Sequence, residues 1–210
     1  MVYARTLNNR LLTMGVSGSL WNRNLVMYDA ETNSYWSQLL GEAMQGELKG
    51  AKLEILPSDI VTWAEWRRQH PKTTVLNLSR SAFIQRGVDL NSGFYKKPAD
   101  FVYGWSVGQQ WYHANLELLT KQPVTNVTVP RAALVLTYDP ESTEVSLFTR
   151  SVGNRELSFV AADSGRMRDD QTGSIWDRRT GEAVSGQLKG RRRQPSVGVL
   201  AYTVAWEGVY

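Results

Sequence analysis

The segment YDAETNSYWSQLLGEAMQGELKG at residues 28–50 returns as RDDQTGSIWDRRTGEAVSGQLKG at residues 168–190, and this repetition constrains the fold more than any other feature. Aligned without a gap at an offset of 140, residues 27–50 and 167–190 agree at 12 of 24 positions. Chance would give about one or two, so a module has been duplicated and its copies should share a fold. The agreement includes Asp29/Asp169, Thr32/Thr172, Ser34/Ser174, Trp36/Trp176, Gly41/Gly181, Glu42/Glu182, Gly46/Gly186 and Gly50/Gly190. The same offset sets Trp66 on Trp206, and with a short gap RTLNNRLLTM (5–14) aligns with RSVGNRELSF (150–159).

The differences between copies specify local structure. Asn33 faces Gly173, the two residue types that best tolerate a left-handed backbone, and both are flanked by the turn formers Asp and Thr. The motif therefore predicts a β-hairpin, with Trp36 or Trp176 opening the return strand. Elsewhere AALVLTYD (132–139), EVSLFTR (144–150) and ELSFVAA (156–162) are short, β-branched and aromatic, and separated by turn chemistry. Helix is expected over 62–69, where Thr62 and Glu65 have capping-box spacing and Pro71 stops the run, and over 114–121. Trp63 and Trp66 share a helical face there and are expected to anchor in the core. The predicted class is mainly β with a few short helices, two related repeats in tandem with the first incomplete; α+β is the alternative. The repeats are placed at 1–78 and 102–210, joined by a connection at 79–101 that shows no clean period.

The second copy opens with residues 102–146, which have no counterpart in the first, so the first copy lacks about 40 residues by comparison with its twin. That leaves an unpaired sheet edge, a liability or a docking point for a partner. A truncation at both ends is the expectation. Residues 15–24, GVSGSLWNRN, are an insertion specific to the first copy and are read as a surface loop of small residues.

Composition narrows the chemistry. The chain has no cysteine, which removes disulfides, thiol catalysis and cysteine-ligated metals, and its two histidines, His70 and His113, lack metal-ligand spacing. No catalytic or metal-ligating residue is assigned. Hydrolysis by Asp29, Glu42 and their twins would need two carboxylates converging on a cleft. Gly41, Gly46 and Gly50 lack the spacing of a phosphate-cradling loop, and no cofactor is identified. The net charge of +4 and pI near 9.4 reflect a late excess in RMRDD, DRR and KGRRR, diluted by Asp169, Asp170, Asp177 and Glu182. This reads as a solvated basic face, with an anionic partner at the basic C-terminal region as the other reading, and nucleic acid is not expected. No run approaches a membrane span, and the N-terminus lacks the apolar stretch of a signal peptide.

LTMGVSGSLWNRNLVMYDAETNSYWSQLLGEAMQGELKG, VTWAEWRRQHPKTTVL and DDQTGSIWDRRTGEAVSGQLKG together resemble the bacterial family known as domain of unknown function 3179, over nearly the whole chain. The resemblance implies no established activity. It does imply a Cys-Pro-x-Cys-like segment just before the strand that opens at Val2, and export of many members. In the second copy, Asp139 and Ser142 of YDPES stand where those cysteines would fall. Two functions follow as expectations. One is a non-catalytic, β-rich binding or scaffold domain with Asp29, Thr32, Ser34, Trp36, Asp169, Thr172, Ser174 and Trp176 as its binding residues. The other is a redox or metal-handling protein whose cysteines lie upstream.

Overall fold

The computed structural model describes residues 1–56, 58, 61–75, 97–163 and 165–210. Their architecture is mainly antiparallel β, and the duplicated sequence corresponds to a duplicated order of strands. Met14–Trp21, Asn24–Asp29, Tyr35–Ser37 and Glu42–Gln45 form one four-stranded meander; Phe159–Ala162, Arg166–Asp169, Ile175–Asp177 and Ala183–Ser185 form the other. A small hairpin precedes each, Thr6–Leu7 with Arg10–Leu11 and Ser151–Val152 with Arg155–Glu156. Register agrees as well. Trp36 sits opposite Met27 and Ala43, Trp176 opposite Met167 and Ala183, and the ladder slips at the same place, between Tyr35 and Trp36 and between Ile175 and Trp176. The expected strand over 156–162 is split in two by Leu157 and Ser158.

The insertion at 15–24 is strand rather than loop. Leu20 pairs with Leu25 and Trp21 with Asn24, and the connecting Asn22 and Arg23 both have positive φ, 47° and 62°. Two successive left-handed residues match the right-handed twist of the flanking strands, so a two-residue turn extends the hairpin by further rungs. The small residues Gly18 and Ser19 fall at the bulge between Val16 and Leu20, not in a free loop.

Two three-stranded sheets complete the second half: Val124–Val129, Ala132–Asp139 and Glu144–Thr149, and Gln110–Asn115, Phe101–Val107 and Gly198–Tyr202. The helix Leu116–Lys121 links them, its N-terminus capped by Asn115 Oδ1 accepting from the Glu117 N–H at 2.8 Å. Strand alternation then divides the core. From Ala132–Asp139, Leu134, Leu136 and Tyr138 join Phe101, Trp105, Leu116 and Leu119, while Val135 joins Phe148, Leu157, Phe159, Met167 and Trp176 on the other face. A third cluster, Leu12, Trp36, Ala43 and Leu53, belongs to the first copy. A fourth joins Leu39 of the first copy to Val102, Val199 and Trp206.

The helix Trp63–Gln69 forms where expected, but Trp63 is half exposed at its first turn. Trp66 finds local partners instead of the sheet: its Nε1 donates to Thr73 Oγ1 at 2.9 Å and its ring lies 4.0 Å from that of His70. The Glu65 side chain of the expected capping box and residues 79–96 of the expected connection lie outside the described residues.

Candidate functional site

The eight residues singled out in the sequence assemble into two copies of one network. Asp29 ends a strand with its carboxylate turned inward, and the Thr32 N–H donates to Oδ1 at 2.6 Å. Thr32 Oγ1 donates to the same carboxylate at 2.7–2.8 Å and sits 2.7 Å from Ser34 Oγ, which accepts from the Leu48 N–H at 3.0 Å. Since Thr32 gives its proton to Asp29, Ser34 must donate to Thr32. The result is a directed chain from Leu48 through Ser34 and Thr32 to the carboxylate. Trp36 Nε1 closes the network on Asp29 Oδ2 at 2.9 Å. Asp169, Thr172, Ser174, Leu188 and Trp176 repeat the network, with Thr172 Oγ1 on Asp169 Oδ2 at 2.9 Å and Trp176 Nε1 on the same oxygen at 2.8 Å. The two groups belong to separate sheets.

Asp29, Ser34, Trp36, Asp169, Ser174 and Trp176 have no exposed surface at all. Burial pushes the Asp29 carboxyl up, and the donors from Thr32, Trp36 and the Thr32 and Ser34 backbones outweigh it, so its pKa lies below the ordinary aspartate value. Chemically the network holds a hairpin closed: it satisfies a buried charge with short donors and presents neither indole face to solvent. Glu42 is turned elsewhere, paired with Lys52 at 3.3 Å, as its twin Glu182 is with Arg192 at 2.7 Å. Among the described residues no three His, Cys, Asp or Glu cluster as metal ligands, and no helix is long and apolar enough to cross a membrane.

The late basic run does not form one solvated face. Arg192 pairs with Glu182, whereas Arg193 is buried with its guanidinium 4.4 Å from the ring centre of Phe159 and 4.5 Å from that of Phe148. Burial pushes its pKa down from the arginine range.

A cleft that the sequence did not indicate lies beside the second copy. It encloses about 220 Å³ and is lined by Arg68, Tyr138, Asp139, Glu144, Arg178 and Arg179. Two of its acidic side chains are engaged in turn geometry, and the third, Glu144, is buried and accepts from Ser146 Oγ at 3.5 Å. Asp139 accepts from the Glu141 N–H at 3.0 Å and Ser142 Oγ at 2.8 Å; Asp177, on the rim, accepts from the Arg179 and Thr180 N–H groups at 3.1 and 2.8 Å. Arg178 donates to the Tyr138 carbonyl at 3.4 Å, while its Nε is buried without an acceptor. The only sequence signal for this cleft was the DRR triplet, since Arg68 comes from a helix more than 100 residues away.

No curated protein and no solved structure is significantly similar to the chain. The sequence model of the family described as "Protein of unknown function (DUF3179)" matches residues 1–210. The paired Asp–Thr–Ser–Trp hairpins are thus carried by a chain that belongs, over residues 1–210, to the DUF3179 family.

Proposed function

We propose that this protein is a non-catalytic binding domain that takes an anionic group into the cleft between the Tyr138–Glu144 turn, the Asp177–Thr180 turn and the helix Trp63–Gln69. The observation that carries this reading is the place of Arg178, beside Arg68 and Arg179, on the wall of one concavity in which Asp139 and Asp177 serve their own turns and Glu144 is a further, buried carboxylate. Arg178 Nε, buried with no acceptor among the described residues, supports it, because a desolvated guanidinium N–H without a partner is costly. The cleft's size suits a phosphate, sulfate or carboxylate head group better than a drug-sized ligand. On this reading the repeats, 1–78 and 102–210 joined by 79–101, are a scaffold, and the eight network residues hold the hairpins that frame it.

Titration calorimetry with inorganic phosphate and with citrate tests the reading. Saturable binding that weakens with added salt and disappears in an Arg178→Ala/Arg179→Ala variant is expected. Equal binding by wild type and variant, or none by either, would remove it.

A second reading, redox or soft-metal chemistry, draws on the turn at 139–142. Ser142 Oγ touches Asp139 Oδ2 at 2.8 Å, so side chains at these two positions meet. Cysteines in a Cys-Pro-x-Cys segment folded the same way would lie within reach of one disulfide or one soft ion. An Asp139→Cys/Ser142→Cys variant should lose both titratable thiols under mild oxidant or on adding zinc. Two thiols that stay reactive under both conditions would count against it.

A further inference from the structure

The run KGRRR gives its last arginine to the core and the other two to a second concavity. This groove of about 420 Å³ lies at the turn between Val124–Val129 and Ala132–Asp139, and Arg131, Thr149, Ser151, Arg191, Arg192 and Gln194 line it. The cleft at Arg178 lies at the other end of Ala132–Asp139, a strand of 8 residues, so the two are roughly 20 Å apart. Among the described residues no carboxylate lines the groove. Arg192 is held by Glu182, whose Oε2 accepts from its Nε at 3.0 Å and from its Nη2 at 2.7 Å. Arg131 and Arg191 are exposed and pair with no acid among the described residues.

The first copy shows that this charge is not needed for folding. The Thr149 N–H donates to Gln194 O at 3.0 Å as the Ala4 N–H does to Glu54 O at 2.9 Å. The Ala183 N–H donates to Arg191 O at 2.9 Å, and the Ala43 N–H donates to Ala51 O at the same distance. On one backbone, therefore, Thr149 stands where the first copy has Ala4, Arg191 where it has Ala51, and Gln194 where it has Glu54. Each exchange adds a hydrogen-bond donor, Arg191 brings a positive charge and Gln194 removes a negative one. Arg192 keeps the role of its counterpart, since Lys52 pairs with Glu42 as Arg192 does with Glu182.

Arg131 adds an observation of a different kind. Pro130 and Arg131 form the two-residue turn between Val129 and Ala132, and Arg131 has φ 71°. A proline followed by a left-handed residue is the pattern of a type II turn, whose second central position favours Gly or Asn. An arginine there is strained, and such strain collects where a side chain serves a ligand. Among the described residues other than Asn and Gly, only Arg23 and Thr143 share it. A merely solvated basic face accounts for neither the strained turn nor the exchange of acid for amide at position 194.

We propose that this groove binds a small polyanion presenting at least two phosphate or sulfate groups, at a site separate from the cleft at Arg178. Two guanidiniums without acids, one on the hairpin turn and one just after Gly190, call for two anionic groups, which a single orthophosphate does not supply. The planar fork of each matches an edge of a tetrahedral oxyanion with two parallel N–H···O bonds. Gln194, Thr149 and Ser151 supply further donors, and Arg192 adds its charge while staying on Glu182.

Titration calorimetry of the full chain carrying Arg178→Ala/Arg179→Ala tests this site apart from the other cleft, so either reading can fail alone. The probes are tripolyphosphate and sucrose octasulfate. Saturable binding of at least one is expected, about tenfold or more tighter than that of orthophosphate and weakened by added salt. The tighter probe assigns the groove to phosphate or to sulfate ligands. Arg191→Ala and Gln194→Glu give the second copy the residues of the first, so the fold tolerates them, and each should weaken binding about tenfold. Arg131→Asn should weaken it likewise while raising the thermal midpoint by about 2 °C as the strain is released. The proposal is overturned by no saturation with either probe below about 1 mM, or by orthophosphate binding as tightly. Unchanged affinity in Arg191→Ala and Gln194→Glu overturns it too, as does an Arg131→Asn chain that gains stability and keeps its affinity.

Discussion

Arg193 occupies the place that Leu53 fills in the first copy: the Leu53 N–H bonds Gly41 O at 2.8 Å and the Arg193 N–H bonds Gly181 O at 3.0 Å. One copy thus closes its core with an aliphatic chain, the other with a guanidinium between aromatic rings, with Nε and Nη1 lacking acceptors. Ring faces return about 2 kcal/mol to a desolvated cation, less than the several it loses on leaving water. Arg193→Leu should therefore raise stability by about 1–2 kcal/mol in urea unfolding. Trp36→Phe should lower it by about 2 kcal/mol, the worth of a hydrogen bond to a buried carboxylate. The depressed pKa of Asp29 sets a pH dependence. Its contribution is complete above the unfolded aspartate value of about 4 and drains away as pH falls through the lower folded value. Asp29→Asn should flatten that acid limb of a stability–pH curve. The Asp–Thr–Ser–Trp set was legible in the sequence as turn chemistry because its bonds span at most seven residues. The burial of Arg193 was not: within KGRRR it is indistinguishable from its neighbours, and only the Leu at its counterpart marks the site as interior.

At the scale of the element, the hairpins separate backbone strain from steric contact. Gly173, at φ 69°, has open space where a side chain would begin, and its counterpart Asn33 adopts φ 52°. Gly186, at φ 90°, would place a Cβ 2.6 Å from the Cα of Ser174. Gly173→Ala should then cost about 1 kcal/mol of left-handed strain, and Gly173→Asn still less. Gly186→Ala adds a backbone clash and should cost at least about 2 kcal/mol more. Thermal midpoints of the three variants rank these costs directly. The tight turns and long strands were readable because alternation and Asn/Gly placement are local signals. The strand at 15–24 was missed because Gly18 and Ser19 have poor strand propensity, and the pairing beyond them joins Leu20 and Trp21 to Leu25 and Asn24 across the turn. Trp63 was misplaced for a related reason: helical spacing shows that it shares a face with Trp66 but not whether a sheet lies beneath.

At the scale of the molecule, the two copies meet at an apolar joint, Leu39 against Val102, Val199 and Trp206, reinforced where Asn22 at the tip of the inserted hairpin donates to the Gly208 carbonyl. Leu39→Ala should cost about 2–4 kcal/mol, and Trp206→Ala should split one calorimetric transition into two as the halves uncouple. Sequence alone revealed the duplication but not this joint, since its residues are scattered from position 22 to 208 with no common pattern. The strand Ala132–Asp139 has a further consequence. Val135 and Leu136 are neighbours along the chain and answer to different interiors, so this strand is a partition wall with both faces papered. Deleting a single residue at 133 would swap its faces and evict the occupants of both rooms together. Loss or gain of one codon there should be far less tolerated than in the strand Met14–Trp21, whose outer face answers to solvent.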